Sequence, residues 1–108
     1  MYKGTIIEQS LKDVSVLNEM QIIEKNEESS TGWILYTVLA SKEQLLKLEN
    51  LINDYKWYTH FWNDQEIIIV FKDKIFEIDK RNMSEIQKAV EHGIQIGIPE
   101  EQLDFLMD

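Results

Sequence analysis

The chain has no cysteine. Neither a disulfide nor a thiolate-bound metal can form, which fits a reducing compartment. Proline occurs once and glycine four times in 108 residues, with no stretch rich in Pro, Gly or Ser that would divide the chain into domains. No apolar run approaches the ~20 residues needed to span a bilayer. The opening MYKGTIIEQSLKD has neither a continuous apolar segment nor a small-residue cleavage pattern, so a secretory signal is not expected. A cytoplasmic location is the expectation that follows.

Arginine is nearly absent as well. Ten of the eleven basic residues are lysine, Arg81 is the exception, and twenty acids bring the net charge to −9. The excess is even: nine acids against five lysines over residues 1–54, eleven acids against six basic groups over 55–108. A nucleic-acid binder needs a basic face to neutralise phosphates, and an anionic membrane asks for the same. Direct binding to either is not expected. The Lys-, Ile-, Glu- and Asn-rich, Arg-poor usage is that of an AT-rich bacterial genome.

What the chain does have is 44% hydrophobic content, enough to build the core of one ordinary domain. The single soft stretch, EESSTG at 27–32, separates two strand-like segments and reads as a hairpin loop. Residues 20–27 alternate weakly. Residues 33–40 (WILYTVLA) are apolar on both faces, as an inner strand requires. Ser41 and Gln44 form a capping-box pattern opening a helix over 41–54, with Leu45, Leu48, Leu51 and Ile52 at helical spacing. A strand at 57–62 completes a crossover unit. The pairs Asn63-Asp64 and Asp73-Lys74 then punctuate a three-strand meander through 66–72 and 75–79. Ser84 and Gln87 repeat the capping pattern ahead of a helix that should stop near Gly93, and Pro99 opens a short last helix. The order ββαβββα predicts an α+β domain with a mainly antiparallel sheet of about five strands and helices packed on one face.

Alternation about the two turns sorts the meander into faces. One face carries Tyr58, His60, Trp62, Ile67, Ile69, Phe71, Phe76 and Ile78, whose apolar rows suit a helix-covered core. The other carries Trp57, Thr59, Phe61, Glu66, Ile68, Val70, Glu77 and Asp79. Three carboxylates beside large apolar groups argue for an open face, covered at most partly by the N-terminal segment, and an open apolar patch marks a binding surface.

Chemistry-bearing residues are sparse. His60, with Asp54 and Asp64 near in sequence, could act as a base oriented by a carboxylate, but no motif supplies a nucleophile, and a packed sheet-edge histidine explains it as well. His92 sits where a helix C-terminus favours a cation. No histidine or carboxylate spacing matches a metal site, and no cofactor is expected. Gly93 reads as the termination of a helix and Gly97 as part of a tight turn before Pro99. Glu66, Glu77 and Asp79 could pair for acid–base work, although solvated strand carboxylates are commoner. Glu100, Glu101, Asp104 and Asp108 form an acidic end.

The stretches GTIIEQSL, WYTHFWND, IIIVFKDKIFEID and AVEHGIQIGIPEEQLDF resemble a family of small uncharacterised bacterial single-domain proteins. The shared pattern is a GTIIE start at 4–8, Trp57-Tyr58 with the Asn63-Asp64 turn, a Lys74-to-Asp79 strand and a Gly-Ile-Pro-x-x-Gln ending at 97–102. The resemblance implies a standalone domain and carries no activity with it. The expected function is a non-enzymatic binding or interaction module using Trp57, Phe61, Ile68, Val70, Glu66, Glu77 and Asp79. Its occupant would be a protein partner, a second copy or a small ligand. The alternatives are a small enzyme using His60 and an acidic mimic of nucleic acid.

Overall fold

In the computed structural model, which describes residues 1–103, six strands form one sheet: β1 (Tyr2–Ile7), β2 (Gln21–Glu27), β3 (Ile34–Ala40), β4 (Tyr58–Trp62), β5 (Glu66–Phe71) and β6 (Lys74–Asp79). Helix α1 (Lys42–Lys47) lies between β3 and β4, and α2 (Glu85–Gln95) follows β6. The spatial order is β2-β3-β1-β4-β5-β6, with every neighbouring pair antiparallel. The α+β order expected from residue 20 onward is present, and the strand count is corrected from five to six by β1. Its sequence YKGTII buries Tyr2, Gly4 and Ile6 and exposes Lys3 and Thr5, the period of two that a strand requires. Because β1 is antiparallel to both neighbours, β3 and β4 run parallel to each other. The crossover through α1 therefore exists, but with β1 inserted between its strands.

The helices do not share a face, contrary to expectation. Leu45 and Leu48 of the α1 region pack with Val38, Phe61, Ile68 and Val70, together with Val16 and Leu17 from the 3-10 segment Val14–Glu19. Ala89 of α2 packs on the other side with Ile67, Ile69, Phe71 and Ile78, joined by Ile98 and Leu103. Alternate residues of β5 thus feed two cores, and Ile67 through Phe71 are all fully buried.

Two-residue loops at Asn63-Asp64 and Asp73-Lys74 would pair Trp62 with Gln65 and Phe71 with Phe76, and the register of the meander is shifted two residues from that. Trp62 faces Ile67, His60 faces Ile69 and Tyr58 faces Phe71, while Ile69 faces Phe76. Each turn tip is displaced by one residue. Asn63 N–H donates to Glu66 O at 3.1 Å and Asn63 Oδ1 accepts from the N–H of Gln65 and Glu66 at 2.8 Å, which puts Asp64-Gln65 at the first tip. Phe71 pairs with Lys74 around Asp73 at φ 64°, which puts Lys72-Asp73 at the second. A shift of two preserves which face each side chain occupies.

The capping box at α1 forms with both reciprocal bonds. The helix is shorter than the apolar spacing suggests, because the chain after it enters backbone pairing: Lys12 N–H donates to Leu51 O and Asn53 N–H to Ser10 O, each at 2.8 Å. At α2 the Ser84 hydroxyl turns back to Asn82 and makes no cap. This helix runs two residues past Gly93. It ends in a Schellman arrangement, with Ile98 N–H donating to Gly93 O at 2.9 Å, Gly97 N–H to Ile94 O at 3.1 Å, and Gly97 at φ 99°. Gly93 serves packing instead, since a Cβ there would lie 2.4 Å from Leu103 Cδ2. Of the acidic end, Glu100 lies in the 3-10 turn Glu100–Gln102, while Asp104 and Asp108 fall outside the described residues. Among the described residues no helix is long and apolar enough to cross a membrane.

Candidate functional site

The face expected to be open is the main core. Phe61, Ile68 and Val70 are fully buried beneath α1 and the N-terminal 3-10 segments, so none of them offers a binding surface. The carboxylates that argued for openness sit at the rim, where cations neutralise them. Lys42, in the first turn of α1, places Nζ 2.9 Å from Glu77 and 3.5 Å from Glu66, and the buried Tyr2 hydroxyl donates to Glu66 at 2.7 Å. The Lys42 ammonium is held above the ordinary lysine range, chiefly by its hydrogen bond to Glu77. Burial, then the Glu66 hydrogen bond, raises the Tyr2 hydroxyl. Asp79 pairs with Arg81 at 2.8 Å. These acids are thus held in ion pairs at the rim, Glu66 and Glu77 with Lys42 and Asp79 with Arg81.

The helix-covered face expected from the alternation is covered over only half its width. The α2 cluster draws on β4, β5 and β6 and on no residue of β1, β2 or β3. On this side Ile7, Leu35, Thr37 and Leu39 remain half-buried and Thr5 exposed.

The ladder between β1 and β4 also runs over only two pairs, Lys3 with Trp62 and Gly4 with Phe61, whereas β1 pairs with β3 over its full six residues. Beyond Gly4 the Thr59 hydroxyl donates to the Thr5 carbonyl at 2.7 Å, so a side chain replaces the ladder where the strands part. Over this division lies a cleft of about 890 Å³, bounded by Thr5 and Ile7 of β1, Leu35 of β3 and the aromatic residues of β4.

Its aromatic wall has a simple origin. Tyr58, His60 and Trp62 alternate along β4, and their rings stand as a stack, 6.4 Å and 5.5 Å between successive centroids and within 28° of parallel. Trp33 and Trp57, each just ahead of its strand, meet edge to face at 5.0 Å and close one end. The Tyr58 hydroxyl donates to the Gln102 carbonyl, tying the turn after Pro99 against the opposite side. At the upper limit of common ligand-pocket volumes and mostly apolar, the cleft has the character of a binding site.

Of the residues singled out in the sequence, the structure brings His60 and Trp57 into this cleft and takes Phe61, Ile68 and Val70 away from it. Asp54 accepts from the Lys56 N–H at 3.2 Å, and Asp64 lies in a separate hollow beyond Trp62. His92 does not cap its helix as a cation. Its ring stands edge-on to Phe71 at 4.9 Å, its buried Nε2 has no hydrogen-bond partner, and burial followed by the charge of Lys74 lowers its pKa. Sequence reasoning missed Thr5, Ile7 and Leu35, whose shared signal is the strand β1 that carries the first two and pairs Ile7 with Leu35, and it missed Trp33, which precedes β3. Among the described residues no group of His, Asp and Glu is arranged to hold a metal ion. No family model, curated protein or solved structure matches the chain.

Proposed function

We propose that the protein is a non-enzymatic binding module whose site is the cleft over the β1–β4 division. The observation that carries this reading is the coincidence of two features. The sheet parts after two ladder pairs, and five aromatic side chains, four from β4 and the residue before it and Trp33 from just ahead of β3, converge on the opening. Opening a ladder forfeits backbone hydrogen bonds worth about 0.5–1.5 kcal/mol each, so the fold bears a cost for the cleft that simple packing does not require. The binding surface thus lies on the opposite side of the sheet from Phe61, Ile68 and Val70, and Trp57 and His60 line it. His60 here is a wall residue, stacked between Tyr58 and Trp62.

Amide chemical-shift mapping against a library of small apolar fragments tests the reading. Bound fragments should move Thr5, Ile7, Leu35 and Trp62, and Leu35→Glu should abolish those shifts without unfolding the chain. Fragments that shift other regions alone, or bind the Leu35→Glu variant equally well, overturn it.

A further inference from the structure

The charge around the cleft runs against the charge of the molecule. Twenty acids face eleven basic groups in the whole chain, yet among the described residues the cleft lining includes Lys56 and no aspartate or glutamate. Trp62 forms a ridge shared with a neighbouring hollow of about 490 Å³, where Lys3 and Lys80 stand with Asp64 as the one carboxylate. The two hollows share Trp62 and together are lined by three lysines and a single acid, reversing the chain-wide acidic excess, and Lys80 also borders a third hollow lined by Asp64, Glu66, Asp79 and Arg81.

Aromatic walls by themselves would also suit a cation, through the negative face of each ring. That position is already taken at one end, because Lys56 Nζ lies 5.7 Å from the centre of the Trp57 ring. An incoming cation would find no carboxylate among the described residues of the cleft and the protein's own ammonium on the tryptophan. An anion meets the reverse situation. Its apolar body can lie along the stack from Tyr58 to Trp62, a span of roughly 13 Å for five strand residues. Its charge then emerges past Trp62, beside Lys3 and Lys80.

Resting on the cleft as the binding site, we infer that its ligand is a small amphipathic organic anion. It would be an aromatic or acyl body bearing one carboxylate, sulfonate or similar group, oriented with that group at the Lys3/Lys80 end. The acidity of the remaining surface then has a role in selection. The net charge of −9 repels polyanions at long range, and a small monoanion reaching the lysines is repelled far less.

Two fluorescent probes with the same ring system separate the parts of this proposal: anilinonaphthalene sulfonate and its uncharged analogue phenylnaphthylamine. The sulfonate should bind the native protein about tenfold more tightly than the neutral probe, with the gap narrowing as salt is raised. Replacing both lysines, Lys3→Gln with Lys80→Gln, should remove that advantage and leave the neutral probe unchanged. Equal binding of both probes, or indifference of the sulfonate to the double variant, overturns the anion class while leaving the cleft in place. Failure of both probes to bind, or binding of both that survives Trp62→Ala and Leu35→Glu, overturns the cleft itself. Near-ultraviolet circular dichroism of each variant establishes that a loss is not unfolding.

Discussion

Gly4 is where the two halves of the sheet are joined, and Gly4→Ala should damage the protein more than any glycine substitution on a surface strand would. A Cβ at this position would lie 2.4 Å from the His60 carbonyl oxygen and 2.5 Å from Phe61 Cδ2. Ordinary contacts between such atoms are about 3.5–4 Å, so one partner must retreat by about an ångström. Phe61 cannot swing aside, being fully buried in the α1-side core, and the His60 oxygen belongs to the β4 backbone. Overpacking of this kind costs about 1–3 kcal/mol. Opening the only two ladder pairs between β1 and β4 adds about 1 kcal/mol for each hydrogen bond lost. Against this, alanine reduces the freedom of the unfolded chain, a gain of about 0.4–1 kcal/mol. The balance is a loss of about 2–4 kcal/mol, a large share of an ordinary domain's stability of about 5–15 kcal/mol. Urea unfolding should show the midpoint falling with little change in slope. In a double-mutant cycle with Phe61→Leu, the smaller side chain should relieve part of the clash and yield a coupling of about 1 kcal/mol or more. A Gly4→Ala midpoint within about 0.5 kcal/mol of the parent would refute the account of the sheet junction.

Two further predictions concern the α2 side. His92 is neutral in the fold and its pKa lies below that of the unfolded chain. Its contribution is therefore complete above about pH 6.5, the ordinary histidine value, and is lost as pH falls, because the unfolded chain takes the proton first. Stability measured from pH 8 down to pH 5 should decline less steeply in His92→Leu, and parallel curves would count against the assignment. At the end of α2, Gly93→Ala and Gly97→Ala should both destabilise, but only the first through contact with Leu103. Leu103→Ala should therefore relieve most of the Gly93→Ala loss and none of the roughly 1–2 kcal/mol from the left-handed φ at Gly97. Equal response of the two variants to Leu103→Ala would remove the distinction.

Much of the fold was legible because its signals are local. The strand segments, the α1 capping box and the side-chain parity of β4, β5 and β6 all follow from short-range alternation and turn chemistry. Parity survived a wrong register because each turn tip moved by one residue, which shifts the strand pairing by two. The strand β1 was missed although YKGTII alternates, because Gly4 removes the side chain that would have made the pattern plain. The choice of open face was not legible. Both faces of β5 are apolar, so alternation cannot rank them, and Glu66 and Glu77 look like solvent-facing residues until Lys42 is placed against them. That contact joins the first turn of α1 to two strands downstream of it, and no local spacing encodes it.

The location of the cleft follows from how much cover each face receives. Six strands about 4.8 Å apart make a sheet about 24 Å across, whereas one helix with its side chains is about 10–12 Å wide. On the α1 side three 3-10 segments, Glu8–Ser10, Val14–Glu19 and Leu48–Asn50, extend the cover that the helix begins. On the other side α2 has only the turn Glu100–Gln102 and the residues around it, and cover stops at β4. The uncovered half begins where β1 and β4 part, so the edge of the α2 layer and the seam in the sheet coincide along one strand. Tyr58, His60 and Trp62 lie on that strand and have core on one flank and cleft on the other. An aromatic ladder at such a boundary can be half-buried without being committed to the interior, and this leaves its rings both rigidly held and reachable. The density of aromatics in KWYTHFWND is thus split by the pleat: Phe61 locks the seam against Gly4, and its neighbours on either side form the wall that the seam exposes.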